Sequence, residues 1–329
     1  MVDDEKLGSA KGSILKGSEE LEGIEIKGYD FSRPFDLGDF LDSYLHTGFQ
    51  ASHLSKAIQV IKQMRKDNCI IFLAYNSNMV SSGLREVIAY LVKNKMVHVL
   101  ITTAGGVEED IIKTIKPFIL GEFRVDGAMM REQGINRIGN IFVPNSRYIE
   151  FEKIVNKFYS KIYERQKKEN RIFSASEIIH ELGKEVNDEN SIYYWATKNN
   201  IPCFCPALTD GSLGDMMFFF KQENPGFKVD ISDDLVKLGK IAINAEKTGI
   251  IVLGGGFVKH HACNANLLRE GADYAVYIST DTEEGGSDSG ARPEEAVCWG
   301  KIKGTAGYIK VYGDATIIFP LVVAGAFKD

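Results

Sequence analysis

The stretch from Ser287 to Lys301, SDSGARPEEAVCWGK, concentrates side chains that could take part in chemistry. Asp288 and Glu295 carry carboxylates, Trp299 carries a flat aromatic ring, and Lys301 carries a primary amine. Carboxylates beside an aromatic ring suit an organic cation, because the ring attracts an ammonium group or packs along an alkyl chain. A solvated surface helix would explain the charges alone, so the stretch needs support from other residues.

Further acids follow apolar runs elsewhere in the chain. Acids that cluster in a cleft repel one another unless a cation joins them, and that cation could be a metal or an organic amine. No phosphate-binding loop accompanies them as a magnesium site would require, and Trp299 favours the organic cation. Each acid taken alone is equally well explained as part of a solvated turn. The acids are Glu108, Glu109, Asp210, Asp215, Asp288, Glu295 and Asp314.

A base and a nucleophile are also available. Lys259, His260 and His261 follow a triple glycine, and a histidine there could act as a general base near neutral pH. Lys301 could attack an imine or a carbonyl if a dry pocket beside Trp299 kept its amine neutral. Histidines in such positions more often cap or pack, and most lysines are solvated.

Six short apolar runs must position these groups. Apolar runs without alternation are typical of a parallel sheet covered on both faces, and the helical patterns between them indicate βαβ units. We therefore predict an α/β fold with a parallel sheet of about six strands and helices on both faces. The runs are CIIFLAY, VHVLITT, IPCFCPAL, GIIVLGG, YAVYIST and YIKVYGDA.

Each run ends in small or polar residues, and ligands of open α/β sheets bind at the carboxyl ends of the strands. The six ends together predict one site built from six loops. Ala104–Gly106 and Gly254–Gly256 could let the backbone approach a pyrophosphate, although ordinary turns explain them equally well. The fingerprint G-x-G-x-x-G and a Walker loop are both absent.

The remaining organisation is simple. Residues 1–30 are polar and predict an N-terminal arm, whereas residues 31–329 predict one catalytic domain. Within it, 146–199 predicts a helical insertion, whose first helix carries a stripe of apolar residues. That stripe consists of Phe151, Ile154, Val155, Phe158 and Ile162.

Composition limits the functional class. The net charge of −6 argues against a general nucleic-acid binder. Five cysteines without metal-ligand spacing predict free thiols and no metal site. The N-terminus is no signal peptide, and the run ATIIFPLVVAGAF is too short to span a bilayer and contains Pro320. We expect a soluble cytoplasmic protein without a membrane partner.

Long motifs add a resemblance to this picture. LGGGFVKHHACNANLLREGADYAVYIST, GSDSGARPEEAVCWGKI, CPALTDGSLGDM, SNMVSSG and TTAGGVEED closely resemble deoxyhypusine synthases. The resemblance implies a Rossmann-like fold, a homotetramer, and NAD and spermidine sites at subunit interfaces. It also implies transfer of the aminobutyl group of spermidine through an imine on an enzyme lysine to one lysine of the translation factor 5A precursor.

Motif matching also implies roles for individual residues. Lys301 matches the lysine that carries the imine, and His260 matches the base. The positions that match the polyamine site are Glu108, Glu109, Asp215, His260, Asn264, Gly286, Ser287, Asp288, Glu295, Trp299 and Lys301. Those that match NAD contacts are Ser77, Asn78, Met79, Val80, Ser81, Thr103, Ala104, Gly105, Glu109, Asp210, Gly255, Thr280, Asp281, Asp314 and Ala315.

Some positions depart from the family motifs, and three other functions are alternatives to this one. Glu284–Gly286 replaces the usual Phe-Asp-Gly, Asp281 a usual alanine and Cys298 a usual serine, which affects one loop on the NAD side. Homospermidine synthase, with putrescine as acceptor, uses the same motifs. A non-catalytic partner subunit would be expected to lose Lys301. A sirtuin-like deacylase would show two CxxC pairs, which this chain lacks.

Overall fold

The computed structural model describes residues 3–328. Met1, Val2 and Asp329, at the ends of the predicted arm and domain, lie outside the described residues. The strands within that range are β1 (Ile70–Tyr75), β2 (Val99–Thr102), β3 (Ile119–Leu120), β4 (Ile135–Ile138), β5 (Ile141–Pro144), β6 (Phe173–Ser174), β7 (Cys203–Phe204), β8 (Val229–Asp230), β9 (Thr248–Leu253), β10 (Ala272–Ser279) and β11 (Ile302–Tyr312).

Helices connect most of these strands. Among residues 3–328, no helix combines the length and the apolar character needed to cross a bilayer. The helices are α1 (Asp4–Ile14), α2 (Leu37–Ser43), α3 (Phe49–Lys66), α4 (Asn78–Ser81), α5 (Leu84–Lys93), α6 (Ala104–Ile115), α7 (Gly127–Glu132), α8 (Asn145–Glu169), α9 (Ala175–Glu185), α10 (Ile192–Asn199), α11 (Ser212–Glu223), α12 (Ser232–Asn244), α13 (Phe257–Leu267), α14 (Pro293–Cys298) and α15 (Ala315–Ala326).

The main sheet has six parallel strands in the order β11-β10-β9-β1-β2-β7. Alternate residues of β1 enter two separate cores: Leu73 and Tyr75 face one, Phe72 and Ala74 the other. The first core is covered by α3, α5, α6, α8–α11 and α15, and the second by α12, α13 and α14. The predicted α/β fold with about six parallel strands is confirmed.

The third predicted strand is shorter than its apolar run. It was predicted over 201–208, yet β7 covers only Cys203–Phe204. Pro202 and Pro206 flank this pair and cannot donate to a strand ladder, because proline has no backbone N–H.

The sixth strand is longer than its apolar run. It was predicted to start at Tyr308, whereas β11 starts at Ile302. Its first half contains exposed Gly304 and Thr305, which interrupt the apolar pattern without interrupting the strand. As a result Lys301 immediately precedes a strand instead of lying in a long loop.

The predicted helical insertion is present as α8, α9 and α10. Four residues of the predicted stripe on α8 are buried, but Ile154 is 38% exposed. At about 100° per residue, Ile154 lies at the edge of the stripe that Phe151, Val155, Phe158 and Ile162 form.

A second, antiparallel sheet has the order β3-β5-β4. It is absent from the sequence-based predictions. The pair Gly139–Asn140 between two apolar runs is a hairpin signal that could have revealed it, and Gly139 has the left-handed φ of 59° that such turns require.

The N-terminal segment lies on the surface. No residue of α1 is buried, and Leu21 is 93% exposed. The segment joins the rest of the fold at His46, whose carbonyl accepts from the Lys27 N–H and whose Nδ1 pairs with the Glu25 carbonyl. That residues 1–30 form an arm separate from one catalytic domain stays a prediction.

Candidate active site

The chain reverses direction at the end of α14, and this turn places Lys301. Gly300 adopts φ 70°, a left-handed conformation that glycine reaches without steric cost. Its N–H donates to the Val297 carbonyl at 2.9 Å, and the Lys301 N–H donates to the Ala296 carbonyl at 2.9 Å. This pair of bonds is the Schellman motif. Trp299 beside Gly300 and Lys301 is therefore a helix end that presents a ring and an amine together.

Lys301 meets a histidine from another element. Its Nζ lies 3.2 Å from Nε2 of His260 in the first turn of α13, and Nδ1 of His260 lies 3.1 Å from Nδ2 of Asn264. Two proton arrangements satisfy these contacts. Either Asn264 donates to Nδ1 and the Nε2–H donates to a neutral Lys301 amine, or the Asn264 amide is reversed and Lys301, as an ammonium group or as a neutral amine, donates to an unprotonated Nε2. In both, one proton lies on the line between the two residues.

His260 and Lys301 line a cavity of about 200 Å³, the lysine pocket. Trp299 borders it with its ring centroid 5.6 Å from Lys301 Nζ, and its side chain is 66% exposed. One chain therefore leaves Trp299 open to solvent, and the dry pocket that would keep the Lys301 amine neutral stays a prediction. The pocket is lined by Lys259, His260, Cys263, Asp288, Ala291, Arg292, Glu295, Ala296, Trp299 and Lys301.

The acids of the lysine pocket are placed for a cation. Oδ2 of Asp288 is buried and has no hydrogen-bond partner within residues 3–328. A buried carboxylate oxygen without a partner is unusual, and an ammonium group would satisfy it. Glu295 lies exposed in the same pocket. Across the described part of the chain, no cluster of histidine, cysteine and acidic side chains is arranged to hold a metal ion.

A second cavity of about 300 Å³, the strand-end pocket, opens at the carboxyl ends of β1, β9, β10 and β11. Gly255 packs so tightly against Ser289 that a side chain would collide with its backbone. Asp314 caps α15 by accepting from the Thr316 N–H at 2.8 Å. The pocket is lined by Asn76, Met79, Gly254, Gly255, Ile278, Ser279, Thr280, Asp281, Ser289, Gly313, Asp314 and Ala315.

A third group, the acid cluster, consists of Glu108 and Glu109 on α6 with their partners. Glu108 accepts from the Leu213 N–H at 2.8 Å, and Glu109 accepts from the Ser81 hydroxyl. Burial raises the pKa of Glu108, and it raises the pKa of Glu109 to about 8. Burial, with a further contribution from the two glutamates, also raises the pKa of Tyr148 to about 12.

The other predicted residues surround these groups. Around the β1 and β2 ends, the Ser77 N–H donates to Thr103 Oγ1 at 3.0 Å, and a Cβ on Gly105 would lie 2.7 Å from Ser77 Cβ. Asp215 is exposed and close enough to Glu108 to raise its pKa further. Among the predicted positions not yet described, Asn78, Asp210, Gly286 and Ser287 are exposed, whereas Val80 and Ala104 are buried.

Within one chain these residues form separated groups. The helix that carries Glu108 and Glu109 packs in the first core. Helix α13, which carries His260, and α14, which Trp299 directly follows, pack in the second core on the opposite face of the sheet. The predicted polyamine residues thus lie on helices of both sheet faces, and neither Glu108 nor Glu109 lines the lysine pocket.

Some residues of the site were missed from sequence. Asn76 directly follows β1 and lines the strand-end pocket. The tendency of ligands to bind at the carboxyl ends of parallel strands could therefore have identified it. Lys259 lines the lysine pocket one residue before His260. Tyr148 reaches the acid cluster from the start of α8, and no sequence signal indicated this contact.

Comparison with known proteins indicates one family. The profile of the deoxyhypusine synthase family matches residues 39–326. The chain is 54% identical over 330 residues to a probable deoxyhypusine synthase from Methanocaldococcus jannaschii, covering 96% of this chain and 100% of the relative. It is 47% identical over 356 residues to deoxyhypusine synthase from Arabidopsis thaliana, covering 99% and 97% of the two chains. A crystal structure of a deoxyhypusine synthase candidate from Entamoeba histolytica has a TM-score of 0.69 and 32% identity, covering 92% and 96%.

Proposed function

The chain belongs to the deoxyhypusine synthase family and is an enzyme of that family, and from this premise we propose its reaction in detail. It transfers the aminobutyl group of spermidine to one lysine of the translation factor 5A precursor, with NAD as cofactor. The observation that carries the proposal is the 3.2 Å contact between Lys301 Nζ and His260 Nε2 inside a pocket with an unpartnered buried carboxylate oxygen.

Spermidine binds through its charges. One ammonium end pairs with Asp288, whose Oδ2 has no hydrogen-bond partner among the described residues, and Glu295 adds a second carboxylate at the same pocket. The alkyl chain packs along the exposed ring of Trp299, which also attracts the charged amines. The pocket thus favours a linear polyamine over a compact inorganic cation.

The strand-end pocket fits a dinucleotide. Gly254 and Gly255 lie so close to Asn76 and Ser289 that side chains at these two positions would collide, and Asp314 adds a carboxylate to the lining. Thr280 and Asp281 are exposed beside them and would hold polar groups of the cofactor. When bound, NAD supplies the two-electron oxidation of the spermidine C–N bond and the later reduction.

Lys301 then performs the transfer. Its neutral amine adds to the carbon of the oxidised C–N bond, and that carbon loses its bond to the diaminopropane nitrogen, which leaves with a proton. The aminobutyl group is then joined to Nζ as an imine. His260 receives the proton that Lys301 releases at Nε2 and returns it to the leaving amine. The acceptor lysine adds to the same carbon, frees Lys301, and the resulting imine is reduced.

We further propose that the site is completed by a second copy in a homotetramer. The division of the predicted residues between two sheet faces supports this assembly, since the acid cluster of one chain can complete the lysine pocket of another. Lys301→Ala and Glu109→Gln chains should each be inactive alone. If sites are shared, coexpressing them should restore about a quarter of wild-type activity under random pairing in twofold dimers. No recovery, in assemblies that mass spectrometry shows to be mixed, would contradict shared sites.

The central experiment follows label from spermidine. The protein is incubated with NAD, spermidine labelled in the aminobutyl group, and either the factor precursor or putrescine. We expect label on the precursor and none with Lys301→Ala. Label in homospermidine alone would instead identify a homospermidine synthase, and absence of transfer to either acceptor would refute the proposal. We place the activity in the cytoplasm, which the five free cysteines support, without nucleic-acid or membrane partners.

A further inference from the structure

The loop between β10 and α14, residues 280–292, carries groups of both proposed ligand sites. Thr280 and Asp281 line the strand-end pocket, and Asp288 lines the lysine pocket. The loop contains Gly285, Gly286 and Gly290, so its own sequence leaves its backbone flexible. A loop that must place groups in two pockets therefore needs fixation from outside.

Two buried lysines provide that fixation. Lys259, 3% exposed, donates from Nζ to the carbonyls of Asp288 and Ala291, the latter at 2.9 Å. Lys310, 7% exposed, donates from Nζ to the Asp281 carbonyl at 2.8 Å and to the Gly290 carbonyl. Four backbone carbonyls of one loop are thus bound by two ammonium groups.

Burial of these ammonium groups is costly, which makes their carbonyl partners informative. Desolvation lowers the pKa of Lys259 and of Lys310, with nearby acids opposing the shift. A buried lysine normally needs strong partners, and here several of them are main-chain oxygens of a glycine-containing loop. The arrangement fixes backbone position instead of neutralising a side chain.

We propose that Lys259 and Lys310 are positioning residues that hold residues 280–292 so that Asp288 and Asp281 stay directed at their two pockets. The inference rests on the proposed function for the identity of the ligands. Lys259 lies on α13 one residue before His260, and Lys310 lies on β11, which starts just after Lys301. Lys259 thus ties the loop to the helix that carries His260, and Lys310 ties it to the strand that directly follows Lys301.

This assignment also separates Lys259 from the nucleophile. Its Nζ is already bound to two carbonyls and lies 4.7 Å from the centroid of the Tyr277 ring. Lys301 Nζ, in contrast, contacts Nε2 of His260 and lies 5.6 Å from the centroid of the Trp299 ring at the border of the lysine pocket. Lys259 holds the carboxylate that receives the polyamine, and Lys301 receives the butyl group.

The test compares Lys259→Met and Lys310→Met with a matched control. Lys221→Met is suitable because Lys221 Nζ also donates to a backbone carbonyl, that of Phe227, outside this loop. Hydrogen exchange of the full-length protein without ligands should be faster in peptides from 280–292 in both test variants. Exchange in β1, β9 and β10 should be unchanged, and the control should match the wild type in the loop.

Binding then separates positioning from general damage. The probe is 1,8-diaminooctane, which matches the span of spermidine but has no secondary nitrogen to oxidise. Lys259→Met should weaken its binding to NAD-loaded protein about tenfold while NAD affinity changes less than about twofold. Lys310→Met should weaken NAD binding about tenfold. Lys259→Arg, which keeps the charge and the donors, should recover part of the diamine affinity.

The outcomes are distinguishable from failure of the proposed function. If the wild type binds neither NAD nor the diamine, the proposed function fails while the exchange data still decide the role of the lysines. Unchanged loop exchange in both variants would overturn the positioning role even if the wild type binds both. Failure of both variants to fold, with Lys221→Met folded, would also overturn it, because the lysines would then support the core.

Discussion

The lysine pocket and the acid cluster differ in how far their side chains are exposed to solvent. In the lysine pocket Trp299 is 66% exposed and Glu295 is open to solvent. In the acid cluster Glu108 and Glu109 are each 6% exposed, and burial raises both of their pKa values. The lysine pocket exposes its reactive groups to solvent and does not enclose them. The acid cluster buries its acids without a cation beside them.

The difference shows where desolvation originates. Around Glu109 the chain itself excludes water, and this burial raises the pKa of the carboxyl group to about 8, so that it is mostly protonated at pH 7. Around Lys301 the chain provides a hydrogen bond and a ring but little cover, so exclusion of water must come from another surface. The predictions below test each half of this contrast, beginning with the largest expected effect.

Loss of the open-pocket amine should have the largest effect. Lys301→Ala should lower transfer to the protein acceptor by at least about 10³-fold, since the other amine that lines the pocket, that of Lys259, is bound to two backbone carbonyls. NAD binding should be retained. Lys301→Arg should not restore transfer, because a guanidinium group stays protonated. Borohydride added during turnover should trap an aminobutyl adduct, and peptide mass spectrometry should find it on Lys301. An adduct on Lys259 would overturn the assignment.

Loss of a carboxylate from the same pocket should have the next largest effect. Asp288→Asn should weaken diamine binding about 10- to 100-fold, because the buried oxygen loses its charge. Glu295→Gln should cost less, since Glu295 is exposed and its charge is screened by solvent. Calorimetric titration of NAD-loaded protein measures both, with NAD affinity as the control. Equal diamine affinity in wild type and both variants would contradict the carboxylate site.

The acid cluster should release protons when a diamine binds. With a pKa of about 8, Glu109 is mostly protonated at pH 7. Binding of a positively charged amine favours the carboxylate, so diamine binding should release up to about one proton per site at pH 7 and almost none at pH 9. Calorimetry in two buffers with different ionisation enthalpies measures this release. Glu109→Gln should abolish it, and a release that persists in that variant would assign the proton elsewhere.

The smallest effect concerns stability. Because the folded pKa of Glu109 is raised above its ordinary value of 4.5, the folded state holds the proton longer than the unfolded state. This group therefore lowers the free energy of unfolding as pH rises from about 4.5 to about 8. Glu109→Gln removes the effect, so its Tm should gain on the wild type by a few degrees across that window. A Tm difference that stays constant with pH would contradict the raised pKa.

The fold was predictable where the burial of an element shows in the apolar pattern of its own residues. Uninterrupted apolar runs such as 249–255 indicated the parallel sheet because both faces of its strands are covered. Strand bounds were less accessible, since β11 includes Gly304 and Thr305, which lie at the irregularity between the pairs Ala272–Ile302 and Tyr274–Gly307. The β3-β5-β4 sheet depends on short runs with weak patterns.

The site was predictable in part for a different reason. The strand-end residues followed from topology, because parallel strands bring their carboxyl ends to one edge. The contact between His260 and Lys301 joins residues 41 apart, and only the resemblance of the motifs linked them. The arrangement of Trp299, Gly300 and Lys301 is local, and a glycine after a short helix is a recognised helix-end signal. Tyr148 depended on long-range packing that no pattern recorded.

The order of the main sheet has a consequence for synthesis of the chain. Strand β1 lies in the interior of the sheet, between β2 and β9, and pairs Phe72 with Val99 but Ile70 with Thr248. During translation β1 can pair on one side soon after it emerges, whereas its other edge stays open until well over a hundred further residues have been made. An open apolar edge of this kind attracts other chains. Ribosome-bound chains that stop before residue 248 should therefore depend on chaperones far more than chains that include β9.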